Sequence, residues 1–185
     1  MLAEETAVVP DGISVVKAMN LLGLPAKERI TGVDLADKLL RRAGEQGKSV
    51  YLLGAKEEVV SALAQKLKAQ YPQMEVRYKN GYGKDKDADF RDIEAFQPDL
   101  VLVALGVPAQ EKLIARHLGN FSKGVFIGVG GSFDVLSGSK RRAPALFVKT
   151  NTEWLYRILR EPSRLGRFYR NNIKFLGEVR KEAKG

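Results

Sequence analysis

The stretch DLVLVALGVPAQEKLIARH, residues 99–117, contains the pattern that decides the fold. Its first eight residues, 99–106, are nearly all apolar, as expected of a strand that is buried on both faces of a sheet. A turn containing Gly106 follows, and then a helical pattern over 109–118. A strand and a helix joined by so short a turn are typical of the repeating unit of a parallel sheet.

The same alternation extends in both directions along the chain. Short apolar, β-branched runs predict further strands, and helical patterns follow them. The predicted strands are 6–10, 49–54, 74–80, 99–106 and 124–131, and the predicted helices are 13–23, 33–46, 57–70, 88–96 and 109–118. The sequence therefore predicts an α/β fold, a Rossmann-like parallel sheet sandwiched by helices.

Charge divides the 185 residues into two parts. Residues 1–139 contain 18 Lys and Arg and 18 Asp and Glu, whereas residues 140–185 contain 13 Lys and Arg and only 4 Asp and Glu. We therefore predict a core over residues 1–145 and a basic helical appendage over residues 146–185, with a break between two amphipathic helices at Pro162. A neutral body with a basic tail indicates an anionic partner: phospholipid, nucleotide diphosphate or nucleic acid.

The residue content excludes several classes of protein. Cysteine is absent and His117 is the only histidine, so the chain has no disulfide scaffold, cysteine nucleophile or multi-histidine metal site. No apolar run approaches the roughly 20 residues that span a bilayer, and we expect no secretory signal at the N-terminus. A phosphate-binding GxxxxGK[ST] loop and a Gly-x-Ser-x-Gly elbow are also missing. We expect a structural role for His117.

Two further motifs fit known templates poorly. The alternating Asp85, Asp87 and Asp89 lack the glycine and glutamate of a calcium loop, so we interpret them as the acidic first turn of a helix. The pair Gly130-Gly131 lacks the third glycine of a dinucleotide fingerprint, which argues against binding of NAD.

Glycines follow four of the five predicted strands directly, at the edge where open α/β sheets bind ligands. They allow close backbone approach and open helix N-termini to a phosphate or ribose. We predict that this edge binds a nucleotide through Gly54, Gly81, Gly106, Gly130 and Gly131, in loops that also contain Tyr82 and Asp134. At the end of the remaining strand, Asp11 is either a helix N-cap or a general base that takes a proton from a substrate hydroxyl.

The basic tail admits three interpretations. Its basic residues either form a solvent-exposed helix face, or bind nucleic acid, or belong to a helix that lies on a membrane surface. No helix-turn-helix, RRM or zinc signature accompanies them, which disfavours nucleic acid. Trp154, Phe168, Tyr169 and Leu176 share the segment with arginines, so we favour the membrane surface.

These loops, in this order, resemble the WecG/TagA/CpsF family of bacterial glycosyltransferases. The resemblance covers nearly the whole chain, and the stretches 102–117 and 128–162 are its most specific part. The matching stretches are VVPDGISVV (8–16), ERITGVDL (28–35), VYLLGAK (50–56), Asn80-Gly81-Tyr82, 99–117, GVGGSFDVLSGSKRRAP (128–144) and EWLYRILREPSRLGRFYRNNIKFL (153–176).

The resemblance implies an inverting transfer of an N-acetylmannosamine-type sugar from UDP to an undecaprenyl-pyrophosphate-linked GlcNAc, in the synthesis of wall teichoic acid or a related surface polymer. It also implies that no metal or other cofactor is needed, because the UDP-sugar is a substrate. The implied catalytic residues are Asp11 as the base, Arg29 and Gln110 as polar active-site groups, and Arg157, Arg164 and Arg167 as arginines of the appendage. Asp134 falls in the implied nucleotide pocket.

The implied partners are the UDP-sugar, the lipid-linked acceptor and an anionic membrane, at the cytoplasmic face of which we expect the protein to act as a peripheral enzyme. No nucleic acid is implied, and a homo-oligomer is left open. Family members usually carry a further segment before the stretch that matches residues 8–12, and we expect that segment to be missing here. Two alternatives therefore stay open: a different nucleotide-sugar enzyme on the same fold, and a binding remnant with impaired catalysis.

Overall fold

The structure is a computed structural model that describes residues 7, 9–24 and 29–183. It does not describe the side chains of residues 164, 167, 168, 170, 171, 173 and 182. The chain divides into two compact units. The sheet unit is built on Gly32–Arg141, and the helical unit combines Glu5–Thr31 with Arg142–Gly185.

The sheet unit contains four parallel strands in the order β2-β1-β3-β4. The strands are Ser49–Gly54 (β1), Glu75–Lys79 (β2), Leu100–Ala104 (β3) and Val125–Gly128 (β4). Its helices are Gly32–Glu45 (α2), Glu57–Gln70 (α3), Lys86–Phe96 (α4), Ala109–His117 (α5) and Ser132–Leu136 (α6), with a 3₁₀ turn at Leu118–Asn120. The predicted α/β class with a parallel sheet between helices is confirmed.

Side chains that alternate along β1 and β3 enter two separate cores, because successive residues of a strand point to opposite faces of the sheet. Leu52 and Leu102 pack with α2, α3 and α6 in one core, which includes Phe133. Tyr51 and Val101 pack on the other face with α4 and α5, in a core that also contains Phe90, Ile93 and Leu113. Burial on both faces explains why these strands are almost wholly apolar.

The helical unit is made of two chain segments that are far apart in sequence. Its helices are Ile13–Leu21 (α1), Ala145–Lys149 (α7), Glu153–Arg160 (α8), Leu165–Phe168 (α9) and Phe175–Glu182 (α10), with a 3₁₀ turn at Pro162–Arg164 and a π-helical segment at Tyr169–Lys174. The helix that we predict after Pro162 is thus a succession of helical segments. Ser14 of α1 donates a hydrogen bond to Asn172 over 2.6 Å, which joins the two segments.

One predicted strand is absent. Residues 7, 9 and 10 of the predicted strand 6–10 are in no strand, and residues 6 and 8 lie outside the described residues. The described part of the helical unit contains no strand. Because a strand needs a neighbour for its backbone hydrogen bonds, the apolar run alone cannot form one. Residues 5–31 also group with the appendage, whereas the predicted domain boundary at 145/146 stays a prediction.

The amino ends of the central strands are joined through Asp99, which precedes β3. Its carboxylate accepts hydrogen bonds from the backbone N–H of Ser49 at 3.0 Å and from the Ser49 hydroxyl at 2.8 Å, and Lys123 Nζ lies 3.2 Å away. The hydrogen bonds from Ser49, the backbone one above all, lower the pKa of Asp99 from 3.8 to about 2. Ionised Asp99 therefore stabilises the start of both strands.

We predict that Asp99→Asn lowers the free energy of unfolding by about 2 kcal/mol at neutral pH. Because the folded-state pKa is depressed, this stabilisation is present above pH ~4 and is lost as the pH falls towards ~2. Urea titrations between pH 7 and 2.5 measure it, with Asp37→Asn on the exposed face of α2 as the matched control. An equal loss of stability in both variants would contradict this role for Asp99.

Candidate active site

The strand order places the expected ligand crevice between β1 and β3. The chain goes from β1 to β2 on one side of the sheet and then to β3 on the other side of β1. In open α/β sheets such a reversal opens a crevice at the carboxyl ends of the two strands. Gly54 ends β1 and Gly106 follows β3, so both predicted glycines lie at this edge.

A third predicted glycine is packed against the same edge. Ala55 N donates to Ala104 O at 3.1 Å, and Gly81 N donates to Ala55 O at 2.7 Å. A Cβ added to Gly81 would lie 3.1 Å from Gly54 Cα, closer than a side chain normally packs. Glycine at 81 therefore lets the β2–α4 loop reach the ends of β1 and β3, and the neighbouring Tyr82 is exposed.

Gln110 connects two loops of this edge. Its side-chain oxygen accepts hydrogen bonds from Gly106 N at 3.2 Å and from Gly130 N at 3.0 Å, and its amide donates to Glu111 at 2.8 Å. The side chain is buried. These contacts give Gln110 a structural function in holding the β3–α5 and β4–α6 loops together, while its predicted contact with substrate stays a prediction.

The remaining predicted nucleotide-binding residues lie at the start of α6. Gly130 has a φ of +50° and, with Gly131, precedes the first residue of α6, Ser132. Asp134 lies in the first turn, where its carboxylate is 3.5 Å from Lys140 Nζ. Thus Gly54, Gly81, Gly106, Gly130 and Gln110 all lie at the carboxyl edge of the sheet unit.

Asp11 and Arg29 belong to the helical unit. Gly12 occupies the N-cap position of α1, and Asp11 directly precedes it, so the choice between a capping role and a general base stays a prediction for Asp11. Arg29 Nε donates a hydrogen bond to the backbone oxygen of Asp11 at 2.7 Å. The other end of the guanidinium, Nη2, donates to Glu153 Oε2, also at 2.7 Å. Arg29 therefore ties the backbone at Asp11 to the first residue of α8.

Arg157 also contacts the Glu153 carboxylate. Its Nη2 lies 3.4 Å from Glu153 Oε1, one helical turn away, and Arg142 Nε lies 4.0 Å from that oxygen. Arg164 belongs to the 3₁₀ turn and Arg167 to α9, but their side chains lie outside the described part of the structure. The structure thus brings together Asp11, Arg29 and Arg157 through Glu153, a residue that the sequence analysis missed.

Asp85, Asp87 and Asp89 lie at the N-cap and in the first turn of α4, as the sequence predicts. Asp85 caps the helix by accepting from Ala88 N at 2.9 Å, and buried Asp89 pairs with Lys79 at 3.0 Å. Asp87 lies 2.7 Å from His117 Nε2, and hydrogen bonding to His117 and Arg116 lowers the pKa of that carboxyl. Each carboxylate therefore has its own partner within the protein.

His117 has a structural environment. It is buried, stacks on Phe90 with 4.8 Å between ring centres, and approaches Glu94 at 2.9 Å through Nδ1. Across residues 7, 9–24 and 29–183, no group of three or more His, Asp or Glu side chains is arranged to hold a metal ion.

We predict that Gln110→Leu lowers the free energy of unfolding by roughly 2 kcal/mol or more, because it leaves the N–H groups of Gly106 and Gly130 without their acceptor. Chemical denaturation measures the change. Gln65→Leu on the exposed face of α3 is the matched control and should change stability by less than about 0.5 kcal/mol. If both variants unfold at the same denaturant concentration, Gln110 does not hold the loops.

Comparison with known proteins relates these features to a family. A model of the glycosyl transferase WecG/TagA/CpsF family matches residues 1–185. The chain is 40% identical over 165 residues to a protein of Bacillus spizizenii named N-acetylglucosaminyldiphosphoundecaprenol N-acetyl-beta-D-mannosaminyltransferase. These 165 residues cover 89% of this chain and 64% of that protein.

Two other relatives carry the same name. The protein of Bacillus subtilis strain 168 is 39% identical over 165 residues, with 89% of this chain and 64% of the relative covered. The protein of Staphylococcus aureus strain MW2 is 39% identical over 168 residues, with 90% and 66% covered. The chain therefore spans about two thirds of the length of these relatives. With a family match over its whole length, the chain belongs to the glycosyl transferase WecG/TagA/CpsF family.

Proposed function

We propose that the protein is an inverting glycosyltransferase that moves an N-acetylmannosamine-type sugar from UDP to an undecaprenyl-pyrophosphate-linked GlcNAc, in the synthesis of wall teichoic acid or a related polymer. The observation that carries this proposal is the identity of 40% over 89% of the chain to a transferase with that acceptor and sugar in its name. Glycine-lined loops at the carboxyl edge of a Rossmann-like sheet support a nucleotide-sugar donor.

In the proposed reaction Asp11 is the general base. An inverting transfer needs one carboxylate that takes the proton from the acceptor hydroxyl while that oxygen attacks the anomeric carbon. Asp11 suits this role because its backbone is fixed by Arg29. The bond from the anomeric carbon to UDP then breaks, and the electron pair leaves with the diphosphate.

Guanidinium groups neutralise the leaving diphosphate in this proposal. Arginine is planar, permanently charged and able to donate two parallel hydrogen bonds to phosphate oxygens, so it can replace a divalent cation. Arg29 and Arg157 share one carboxylate, which leaves an excess of positive charge beside the Asp11 segment. Arg164 and Arg167 complete the proposed set, and the reaction proceeds without a metal.

We further propose that the helical unit contacts the anionic cytoplasmic face of the membrane, where the lipid-linked acceptor lies. Several of its large apolar side chains are exposed beside arginines, as at an interfacial helix. They include Leu146, Leu155, Leu159, Leu165 and Tyr169. In the described part of the chain, every helix is too short or too polar to cross a bilayer.

A turnover assay tests the proposed function. The full chain is incubated with UDP-ManNAc in EDTA, with and without a soluble lipid-pyrophosphate-GlcNAc analogue, and UDP release is followed. Release that depends on the acceptor supports transfer without a metal. UDP binding without turnover would favour a catalytically impaired remnant, and turnover that Mg²⁺ or Mn²⁺ restores would contradict the metal-free proposal. Turnover only with another sugar nucleotide would favour a different enzyme on this fold.

We predict that Asp11→Asn lowers turnover by a factor on the order of 10² or more and leaves the fold intact, because the base is lost and the side-chain shape is kept. Steady-state rates and the thermal midpoint are measured together. Asp37→Asn, which removes an exposed carboxylate in the sheet unit, should keep the parental rate. A near-parental rate for Asp11→Asn would reject the proposed base.

We predict that the double variant Leu159→Gln/Leu165→Gln weakens binding to vesicles of anionic lipid by about tenfold or more, since both side chains are more than half exposed and available to the bilayer. Co-sedimentation measures the affinity. Salt should weaken the binding of the parental chain by screening its basic residues. Val125→Gln removes an exposed apolar side chain from the sheet unit and should have no effect. Parental affinity of the double variant would exclude this surface.

A further inference from the structure

A buried carboxylate joins the two ends of the loop that follows β2. The loop comprises residues 80–85, between Lys79, the last residue of β2, and Lys86, the first residue of α4. One carboxylate oxygen of Asp89, Oδ1, lies 3.0 Å from Lys79 Nζ, and the other, Oδ2, lies 3.4 Å from Lys86 Nζ. We call these three residues the Asp89 clamp.

The charges of the Asp89 clamp differ in their exposure. The Asp89 side chain is 3% exposed, whereas those of Lys79 and Lys86 are 45% and 28% exposed. Burial of a carboxylate is costly unless it is paired, so the two ammonium groups stabilise Asp89 in this position. A hydrogen bond to Asp89 raises the pKa of Lys79, which is therefore charged at neutral pH. The clamp thus ties the last residue of β2 to the first turn of α4.

Asp89 also lies against the interior of the loop. A Cβ added to Gly83 would be 3.2 Å from Asp89 Oδ2, so glycine at this position lets the backbone pack on the carboxylate without displacing it. Elsewhere in the loop, Tyr82 N donates a hydrogen bond to the side-chain oxygen of Asn80 at 2.9 Å. The backbone around Tyr82 is therefore fixed on both sides.

The loop fixed in this way carries an exposed aromatic side chain at the candidate nucleotide site. Gly81 packs on Gly54 at the carboxyl end of β1, and the adjoining Tyr82 is 72% exposed. Contacts within the protein cover little of this ring, so the backbone of the loop determines where the ring lies. A tyrosine placed like this can contact a ligand without first being released from the core.

We propose that Asp89 is a positioning residue that holds Tyr82 for contact with the UDP-sugar donor, by anchoring both ends of the β2–α4 loop. The inference rests on the proposed function. Of the three alternating aspartates, Asp85 caps α4 and Asp87 pairs with His117, while the lysine partners of Asp89 flank the loop. Because it is buried, Asp89 acts through Tyr82 and does not contact the donor itself.

Positioning and simple charge predict opposite effects of Asp89→Asn on nucleotide affinity. UDP is an anion, and removal of a carboxylate makes the surrounding protein more positive, which by itself tightens the binding of an anion. If Asp89 anchors the loop, the neutral amide loses the charge-assisted contacts to both lysines, and Tyr82 is no longer held. Binding is then weaker despite the added positive charge.

The experiment measures UDP binding to the full chain by isothermal titration calorimetry, and amide hydrogen exchange of residues 80–85 by mass spectrometry. We expect Asp89→Asn to weaken UDP binding about tenfold and to accelerate exchange in the loop. Asp37→Asn, on the exposed face of α2, is the matched control and should change neither quantity. Since Asp89 acts through Tyr82, the double variant Asp89→Asn/Tyr82→Ala should bind UDP no more weakly than Tyr82→Ala alone.

Unchanged or tighter UDP binding by Asp89→Asn would overturn the positioning role, as would additive losses in the double variant. If Asp89→Asn does not fold, Gly83→Ala decides, because its methyl group presses on a carboxylate that two lysines hold. We expect Gly83→Ala to weaken UDP binding about threefold or more. Gly119→Ala, whose Cβ would meet open space, is its control and should bind as the parental chain does. Equal affinities of these two variants would overturn the assignment.

The result can be separated from that of the turnover assay. UDP binding that needs Asp89 in a chain without transferase activity would uphold the positioning role and reject the proposed transfer. Acceptor-dependent turnover with a UDP affinity unaffected by Asp89→Asn would do the opposite. A parental chain that binds no UDP would overturn both.

Discussion

Parallel pairing of all four strands is the constraint on which the candidate nucleotide site depends. Parallel strands run in one direction, so the loops that follow them all emerge at one edge. Both faces of β1 and β3 are already covered by helices, which leaves that edge as the place where a ligand can reach the backbone. Gly54 and Gly81 pack together there, and Gln110 joins the loops that contain Gly106 and Gly130.

The helical unit depends on a different interaction, the pairing of buried Glu153 with arginines. A carboxylate removed from water must be paired, so α8 can begin at this position only where guanidinium groups reach it. Arg29 comes from one segment of the unit, and Arg142 and Arg157 come from the other. The ion pairs therefore hold the segments together and concentrate positive charge beside Asp11.

Sequence predicted the sheet unit well because its signals are local. The apolar run at 49–54 is β1 and the periodic pattern at 57–70 is α3, while the apolar run at 99–106 contains β3. The prediction of a strand at 6–10 was wrong for its described residues. A strand forms only beside a partner strand, and the local sequence does not show whether a partner is available. The position of the glycine-containing loops could be predicted because open parallel sheets bind ligands at the carboxyl ends of their strands, a rule that requires no knowledge of side-chain contacts.

The arginine cluster could be predicted only in part. Glu153 and Arg157 are four residues apart on a helix, a spacing that indicates an ion pair. The pairing of Glu153 with Arg29 joins residues 124 positions apart, and its burial depends on packing that the sequence does not display. The roles assigned to Asp11, Arg157, Arg164 and Arg167 came from resemblance to the family and remain predictions.

The separation of Arg29 from Glu153 also bears on the order in which the protein folds. During synthesis the whole of Gly32–Arg141 leaves the ribosome before Glu153 does, so Glu153 can meet Arg29 only afterwards. The sheet unit contains its own cores and strand pairs, so its folding does not wait for that contact. Closing a loop of this length in an unfolded chain is entropically costly, and folding of the intervening residues first removes most of that freedom. We expect the cationic site to assemble after the sheet unit has folded.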